Sequence, residues 1–386
     1  MSRTLEEIQA SVLEVNTAES ERPEIVVNNR FMREIVNDSL DALQGVSGLY
    51  QRSTIPVRLE DNRAKVLTNA ALKGELERAA DYIKETFKPG DDGSPTRRTD
   101  PARPPADVVA DILALQAEKL PFPQLNAITP TPILTPDGKL HFDGYDSETG
   151  ILVSCNLEGL RTDMPLQEAR SLLEGVWQDF PFVDAAGKAH TYAMTLQSIV
   201  RHVIQGPTPL FNIEAPTRGT GKGILVDSST IITTGTTAPI MPNVREADEL
   251  DKRITTLLLE GASHILLDNV TSIRSPVLAA ALTSEWWRGR ILGKSESVQL
   301  PNQAVWIATG NNPDLSDEIA RRVMPIRLDP GVERPEDRRG FKHPRLKDYV
   351  RANRAELLSA CLSFVNAWVQ EGMPRSTNTI GSFESW

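Results

Sequence analysis

Cysteine is nearly absent from this chain: Cys155 and Cys361 are the two in 386 residues, and neither belongs to a CxxC or CxxH spacing. That excludes a disulfide framework and a zinc ribbon, and points to a reducing compartment. Positive charge is also short. Forty-two Lys and Arg face 52 Asp and Glu, which leaves a net charge of −10 and a pI near 5.2. Such a balance excludes a protein that coats duplex DNA with its whole surface, though not one with a basic channel inside an acidic body. No apolar run approaches the ~20 residues of a membrane span. The N-terminus, MSRTLEEIQASVLEV, lacks the apolar stretch of a signal peptide. Together these absences predict a soluble, cytoplasmic protein.

What remains is ordinary globular material, 40% apolar and 24% charged, long enough for two or three domains. Residues 1–87 read as an N-terminal α+β domain. Glu24 to Val27 is β-prone, Phe31 to Leu43 has helical spacing, Leu49 to Ser53 and Pro56 to Glu60 flank a turn, and a helix spans about Asn69 to Phe87. The stretch 88–105, KPGDDGSPTRRTDPARPP, is rich in Pro, Gly and charge and reads as a linker. Residues 106–164 read as a helix and a β-rich connector. From 165 to 335, helices alternate with buried strands, which predicts a three-layer α/β core. Its strands are expected at Leu210 to Ile213, Ile231 to Thr233, His264 to Leu267 and Ala304 to Ala308. Residues 336–386 read as a C-terminal helical lid, dominated by one long helix from Arg345 to Glu371 and ended by Gly372 and Pro374. The final GSFESW stops without a cap or tail, as a truncated chain would.

The informative segment is LFNIEAPTRGTGKGILVD, Leu210 to Asp227, a strand, a Gly-rich turn and a helix. This is the context of a phosphate-binding loop. Glycines let successive N–H groups converge on phosphate oxygens, and the helix N-terminus adds its dipole. The cradle comprises Pro216, Thr217, Arg218, Gly219, Thr220, Gly221, Lys222, Gly223 and Ile224, with Lys222 reaching the β/γ phosphates. Two positions depart from the usual pattern. Pro216 replaces the first Gly, and Gly223 replaces the Ser or Thr whose hydroxyl ligates Mg²⁺.

Downstream, ASHILLDNV places Asp268 at the end of an apolar strand, where a carboxylate holds Mg²⁺ through water. Asn269 follows; it is able to orient a water but not to act as a base. Glu249 or Glu260 would then supply the missing carboxylate, Glu249 ranking first. WIATGNNPDL sets Asn311 and Asn312 directly after another buried strand. DEIARRVMPIRLD puts Arg321 and Arg322 at a helix end ahead of a strand. Between Asp268 and Asn311, Arg290 to Gly293 and Ser297 to Pro301 read as a β-hairpin with Lys294 near its tip and Arg288 and Arg290 behind. Trp286 and Trp287 raise the prospect of base stacking, although the apolar helix before them argues that at least one is core. Asp143 and Asp146, in FDGYD, lie in a Gly-rich turn and read as structural rather than as a two-metal polymerase or primase site.

In order, APTRGTGKG, ADELDKRIT, LLDN, LTSEWWRGRILGKSE, ATGNNPDLSDEIARR and IRLD resemble the ATPase module of superfamily 3 and AAA+ helicases. These are the motors of phage, plasmid and integrative-element primase–helicase proteins. The resemblance covers residues 120–386. It implies that Asn311 or Asn312 senses the γ-phosphate and that Arg321 or Arg322 is an arginine finger. It further implies that Arg345, Arg351 or Arg354 senses nucleotide from the C-terminal helices, and that Lys294 grips single-stranded DNA. The cofactors implied are ATP and Mg²⁺. The implied partners are single-stranded DNA, five further copies in a homo-hexamer, and a primase or other replication protein. The function expected is ATP-dependent unwinding in replication of a phage or mobile element. Gly223 and Asn269 keep open a nucleotide-gated switch with weak hydrolysis, and a protein-remodelling ATPase is a third reading.

Overall fold

A computed structural model describes residues 22–89, 94–242, 244, 246–290, 297–377 and 379–386. The chain divides into two units, residues 1–59 with 66–123, and residues 60–65 with 124–386. Among the described residues no helix is long and apolar enough to cross a membrane.

The first unit opens with strand β1 (Glu24–Val26) and helix α1 (Met32–Leu43). It continues with β2 (Leu49–Arg52), β3 (Ile55–Glu60) and α2 (Asn69–Ala79), and ends with β5 (Asp81–Pro89), β6 (Pro95–Pro101) and α3 (Ala106–Ala114). Strand β4 (Arg63–Val66), between β3 and α2 in the chain, falls mostly within residues 60–65 of the second unit. Helix α1 buries Ile35, Val36, Ser39 and Leu43, one stripe at helical spacing. Thr68 caps α2 by accepting from Ala71 N at 3.2 Å. Leu72 and Leu76 of α2 join the α1 stripe, Tyr82 and the apolar face of α3 in one core. Two expectations fail here. The helix expected to run to Phe87 stops at Ala79, and the chain turns at once into β5, parallel to β1. The stretch read as a linker contributes β6, paired antiparallel to β5 from Ile83–Pro101 to Pro89–Pro95. Pro95 and Pro101 stand at the two ends of the strand, where a missing N–H interrupts no interior ladder bond.

The second unit begins with short strands β7 (Ala127–Thr129), β8 (Ile133–Leu134), β9 (Leu140–His141), β10 (Asp143–Asp146) and β11 (Ile151–Ser154). Asp146 accepts from Thr149 N at 2.8 Å and closes the turn before Gly150. There follow α4 (Leu166–Trp177), α5 (Ala185–Val200), β12 (Leu210–Glu214) and α6 (Lys222–Thr234). Next come β13 (Ile240–Met241), α7 (Ala247–Glu260), β14 (His264–Ile273), α8 (Pro276–Thr283), β15 (Trp286–Arg290), β16 (Ser297–Pro301) and β17 (Val305–Leu315). The unit ends with α9 (Asp317–Ala320), β18 (Val323–Arg327), α10 (Leu346–Ala352) and α11 (Arg354–Gln370).

Five strands form one sheet in the order β13-β14-β17-β12-β18, every neighbouring pair parallel. A parallel sheet must be covered on both faces, and β12 reads accordingly: Leu210, Phe211 and Ile213 are fully buried. Trp177 anchors the core beside the sheet. Its indole N–H donates to Ser228 at 3.1 Å, and Tyr192 meets it edge-on at 5.0 Å. Residues 231–233, expected as a strand, lie instead within α6. The single long C-terminal helix is two, separated at Asn353.

Arg354, one of the three arginines offered as a nucleotide sensor, makes structural contacts. Its guanidinium donates to the carbonyls of Ile232, Thr233 and Pro130 at 3.3, 2.8 and 3.4 Å. It thereby caps the C-terminus of α6, where Gly235 turns the chain at φ +81°. Replacing Arg354 by Ala should cost about 1–3 kcal/mol, because these carbonyls lose a charged donor in a half-buried site. A chemical denaturation midpoint indistinguishable from wild type would contradict this role.

Candidate functional site

All five parallel strands end on the same edge, so whatever follows them converges there. After β12 the loop carries positive-φ glycines at Gly219 (+74°) and Gly221 (+96°), a conformation that side-chained residues avoid. Gly221 is the N-cap of α6 and offers no capping side chain, so the first-turn amides stay available to an anion. Thr217 Oγ lies buried in this loop with no hydrogen-bond partner among the described residues.

Lys222 opens α6 and points back over the loop. Its ammonium donates to Thr217 O at 3.2 Å, to Thr220 Oγ at 3.4 Å and to Asn311 Oδ1 at 2.7 Å. The last bond joins residues 89 apart in sequence. Burial pushes the Lys222 pKa down, and the carboxylate of Asp268 opposes that shift. Lys222, Asn311 and Asp268 therefore share one electrostatic neighbourhood.

Asp268 and the asparagines are held by two interruptions of the β14–β17 ladder. The register runs Leu267–Ala308, then Val270–Gly310, then Ser272–Asp314. Across the first step β14 carries an extra residue, and across the second β17 carries the surplus. These bulges re-aim side chains at the strand ends. Asn269 (φ +52°) and Asn312 (φ +45°) occupy them in the left-handed region. Asn tolerates that region better than most residues, and such strain concentrates at functional sites. Gly310 permits the close approach: a Cβ there would meet Val270 O at 2.6 Å. Thr309, which nothing in the local pattern singles out, organises the pair. It donates to Asp268 Oδ1 at 2.6 Å and accepts from Asn269 N at 2.9 Å.

Beside the loop opens a cavity of about 560 Å³. Gly219, Gly221, Phe180, Glu336, His343 and Arg345 are among its walls. The Phe180 ring lies against Gly221 and Glu336 against Gly219. His343 stacks on Tyr349 at 3.6 Å, and its Nε2 is buried with no hydrogen-bond partner among the described residues. These residues were not legible as site residues, because they come from segments 40 residues before the loop and over 110 after it.

Other expected members stand apart. Glu249 is engaged by Arg253 Nε at 3.1 Å on the partly exposed side of α7. Arg322, its side chain 15% exposed, pairs with Glu318 at 2.8 Å, whereas Arg321 is exposed and carries no ion pair among the described residues. Arg351 pairs with Asp348 at 3.5 Å, which leaves Arg345 as the arginine of that set on the cavity wall. Pro216, Arg218 and Gly223 are exposed, and Ile224 is exposed and lines the cavity. Of the two expected strands, the second is β16, while the first lies earlier than expected, as β15 at Trp286–Arg290, paired antiparallel with β16 from Trp286–Pro301 to Arg290–Ser297. Lys294 lies outside the described residues.

The arrangement fits a nucleoside triphosphate: an open helix N-terminus, an orphaned hydroxyl at Thr217, a cation on a short tether and an adjoining cavity. It fits a divalent ion less fully. Among the described residues no group of three His, Cys, Asp or Glu converges to hold one, and Asp268 is the carboxylate that acts on Lys222.

No family model and no curated protein matches the chain. Among solved structures it is similar to the C-terminal region of NrS-1 in an apo form, at 15% identity and a TM-score of 0.37 over 76% of this chain and 70% of that one. It is also similar to JCV helicase, at 10% identity and a TM-score of 0.31 over 57% of this chain and 56% of that one. Similarity this shallow adds no weight; the reading rests on the geometry of the site.

Proposed function

We propose that this chain is a P-loop ATPase and a subunit of an ATP-dependent DNA translocase or helicase, acting in replication of a phage or mobile element. The observation that carries the reading is the 2.7 Å bond from Lys222 to Asn311 beside Asp268. It links residues of three separately read motifs, which supports a single phosphate site. In this account Gly219, Gly221 and the first turn of α6 cradle the phosphates, and Lys222 exchanges Asn311 for a phosphate oxygen. Asn311 and Asn269 orient the attacking water, and Arg345 approaches the phosphates from the cavity wall. Bound Mg²⁺ would neutralise charge on the phosphates, with Asp268 holding it through water. Arg321, which carries no ion pair among the described residues, is the arginine offered to a neighbouring subunit's nucleotide in a hexameric ring. A mass measurement with a non-hydrolysed ATP analogue checks the ring, and a persistent monomer would count against it.

Release of a labelled strand from a forked duplex tests the function directly. Release should require ATP, and none under any nucleotide would sink the helicase reading. A nucleotide-gated switch with weak hydrolysis is a second reading, favoured by Gly223 and Asn269. The two are separable at Gly223, because a Cβ there would meet open space. Gly223→Ser therefore restores a hydroxyl without a clash, and should lower the Mg²⁺ concentration for half-maximal turnover several-fold. An unchanged Mg²⁺ requirement would mean that this position does not face the ion.

A further inference from the structure

Strand β15 has two different faces. Trp287 and Gly289 turn inward, opposite Leu300 and Val298 of β16, and all four are buried. That orientation is locked by helix α7: Trp287 Nε1 donates to Thr255 Oγ at 2.9 Å, and a Cβ on Gly289 would run into Thr255. A one-residue slip would drive an arginine or the second indole into α7, so the alternation is fixed. The opposite face therefore always presents Trp286, Arg288 and Arg290, with Gln299 and Ser297 beside the arginines on β16.

Trp286 is 48% exposed, whereas Trp287 is 5% exposed. A large indole left in water on an otherwise well-packed strand has a partner still to meet. The side chains of Arg288 and Arg290 make no hydrogen bond or ion pair among the described residues, although acidic residues outnumber basic ones in the chain. Alternate residues of a strand repeat every ~6.7 Å, a step that an extended polynucleotide backbone is able to match. Aromatic and basic groups in one row are what a single strand requires: a π face for a base and cations for phosphates. A duplex offers no free base face to the indole.

We propose that Trp286, Arg288 and Arg290 form a single-strand-binding ladder. The indole stacks on an unpaired base, and the two guanidiniums hold successive phosphates. The ladder rests on the translocase reading, and it adds to that reading a stacking residue on the hairpin's outer face.

The test is binding of a dye-labelled oligo(dT) and of a blunt duplex, each across a salt series. Trp286→Ala should weaken oligo(dT) binding about tenfold or more. It should leave duplex binding and the slope of log affinity against log salt unchanged, and Trp286→Phe should recover most of the loss. Arg288→Gln and Arg290→Gln should each lower that slope by about 0.7. Wild-type binding of oligo(dT) with no loss in Trp286→Ala, or an equal loss for both ligands, overturns the ladder while leaving the translocase reading intact. Wild-type protein that ignores oligo(dT) altogether overturns both.

Discussion

Lys222→Ala is expected to cut ATP turnover by at least about 100-fold, the usual effect of deleting one preorganised group that meets charge developing on the reacting phosphate. The size follows from the position of the ammonium. It is the cation at the mouth of the α6 cradle, it is partly desolvated, and its three present partners are neutral oxygens that a phosphate displaces. A desolvated charge interacts more strongly with an anion than an exposed one does. Lys222→Arg should rescue little, because a planar fork does not reproduce a compact point charge on a mobile stem. Phosphate release under saturating ATP gives the readout. Turnover in Lys222→Ala within a few-fold of wild type would place hydrolysis elsewhere in the chain.

Asp268→Asn is expected to have the second-largest effect, a loss of about 100- to 1,000-fold in Mg²⁺-dependent turnover. The substitution is chosen for its shape. An amide oxygen is able to keep the 2.6 Å bond from Thr309, and through Thr309 the bulge at Asn269, so the change removes charge and little else. Nucleotide affinity measured in EDTA should therefore stay close to that of wild type. A variant that hydrolyses normally would show that the ion is held by other groups. A variant that loses nucleotide binding even without Mg²⁺ would show that Asp268 acts on the loop itself.

The parts of this site legible in the sequence are those in which chemistry and chain direction coincide. Gly219 to Lys222, Asp268 and Asn311 each follow an apolar strand within a few residues, so local pattern suffices to find them. Thr309, Phe180, Glu336 and His343 act through contacts that only the folded chain creates. The bulges were hidden for a similar reason. The strands expected to stop at Leu267 and Ala308 run on through the site to Ile273 and Leu315, and their misregister, not their composition, aims the side chains. Ile231 to Thr233 misled because β-branched residues favour strands. Here α6 is buried along that stretch, Ile231 and Ile232 pack into the core, and packing outweighs propensity. An arginine in a C-terminal helix, such as Arg354, resembles a nucleotide sensor, while a buried helix end needs a donor just as much.

The central claim is that Lys222, Asp268 and Asn311 form an ATP-hydrolysing site that answers to single-stranded DNA. Its most direct test is turnover of Mg-ATP with increasing oligo(dT), compared between wild type and Lys222→Ala. The account predicts turnover that rises with oligo(dT) in wild type and stays at background in the variant. Equal, near-background rates in both proteins at every concentration of oligo(dT) would contradict it.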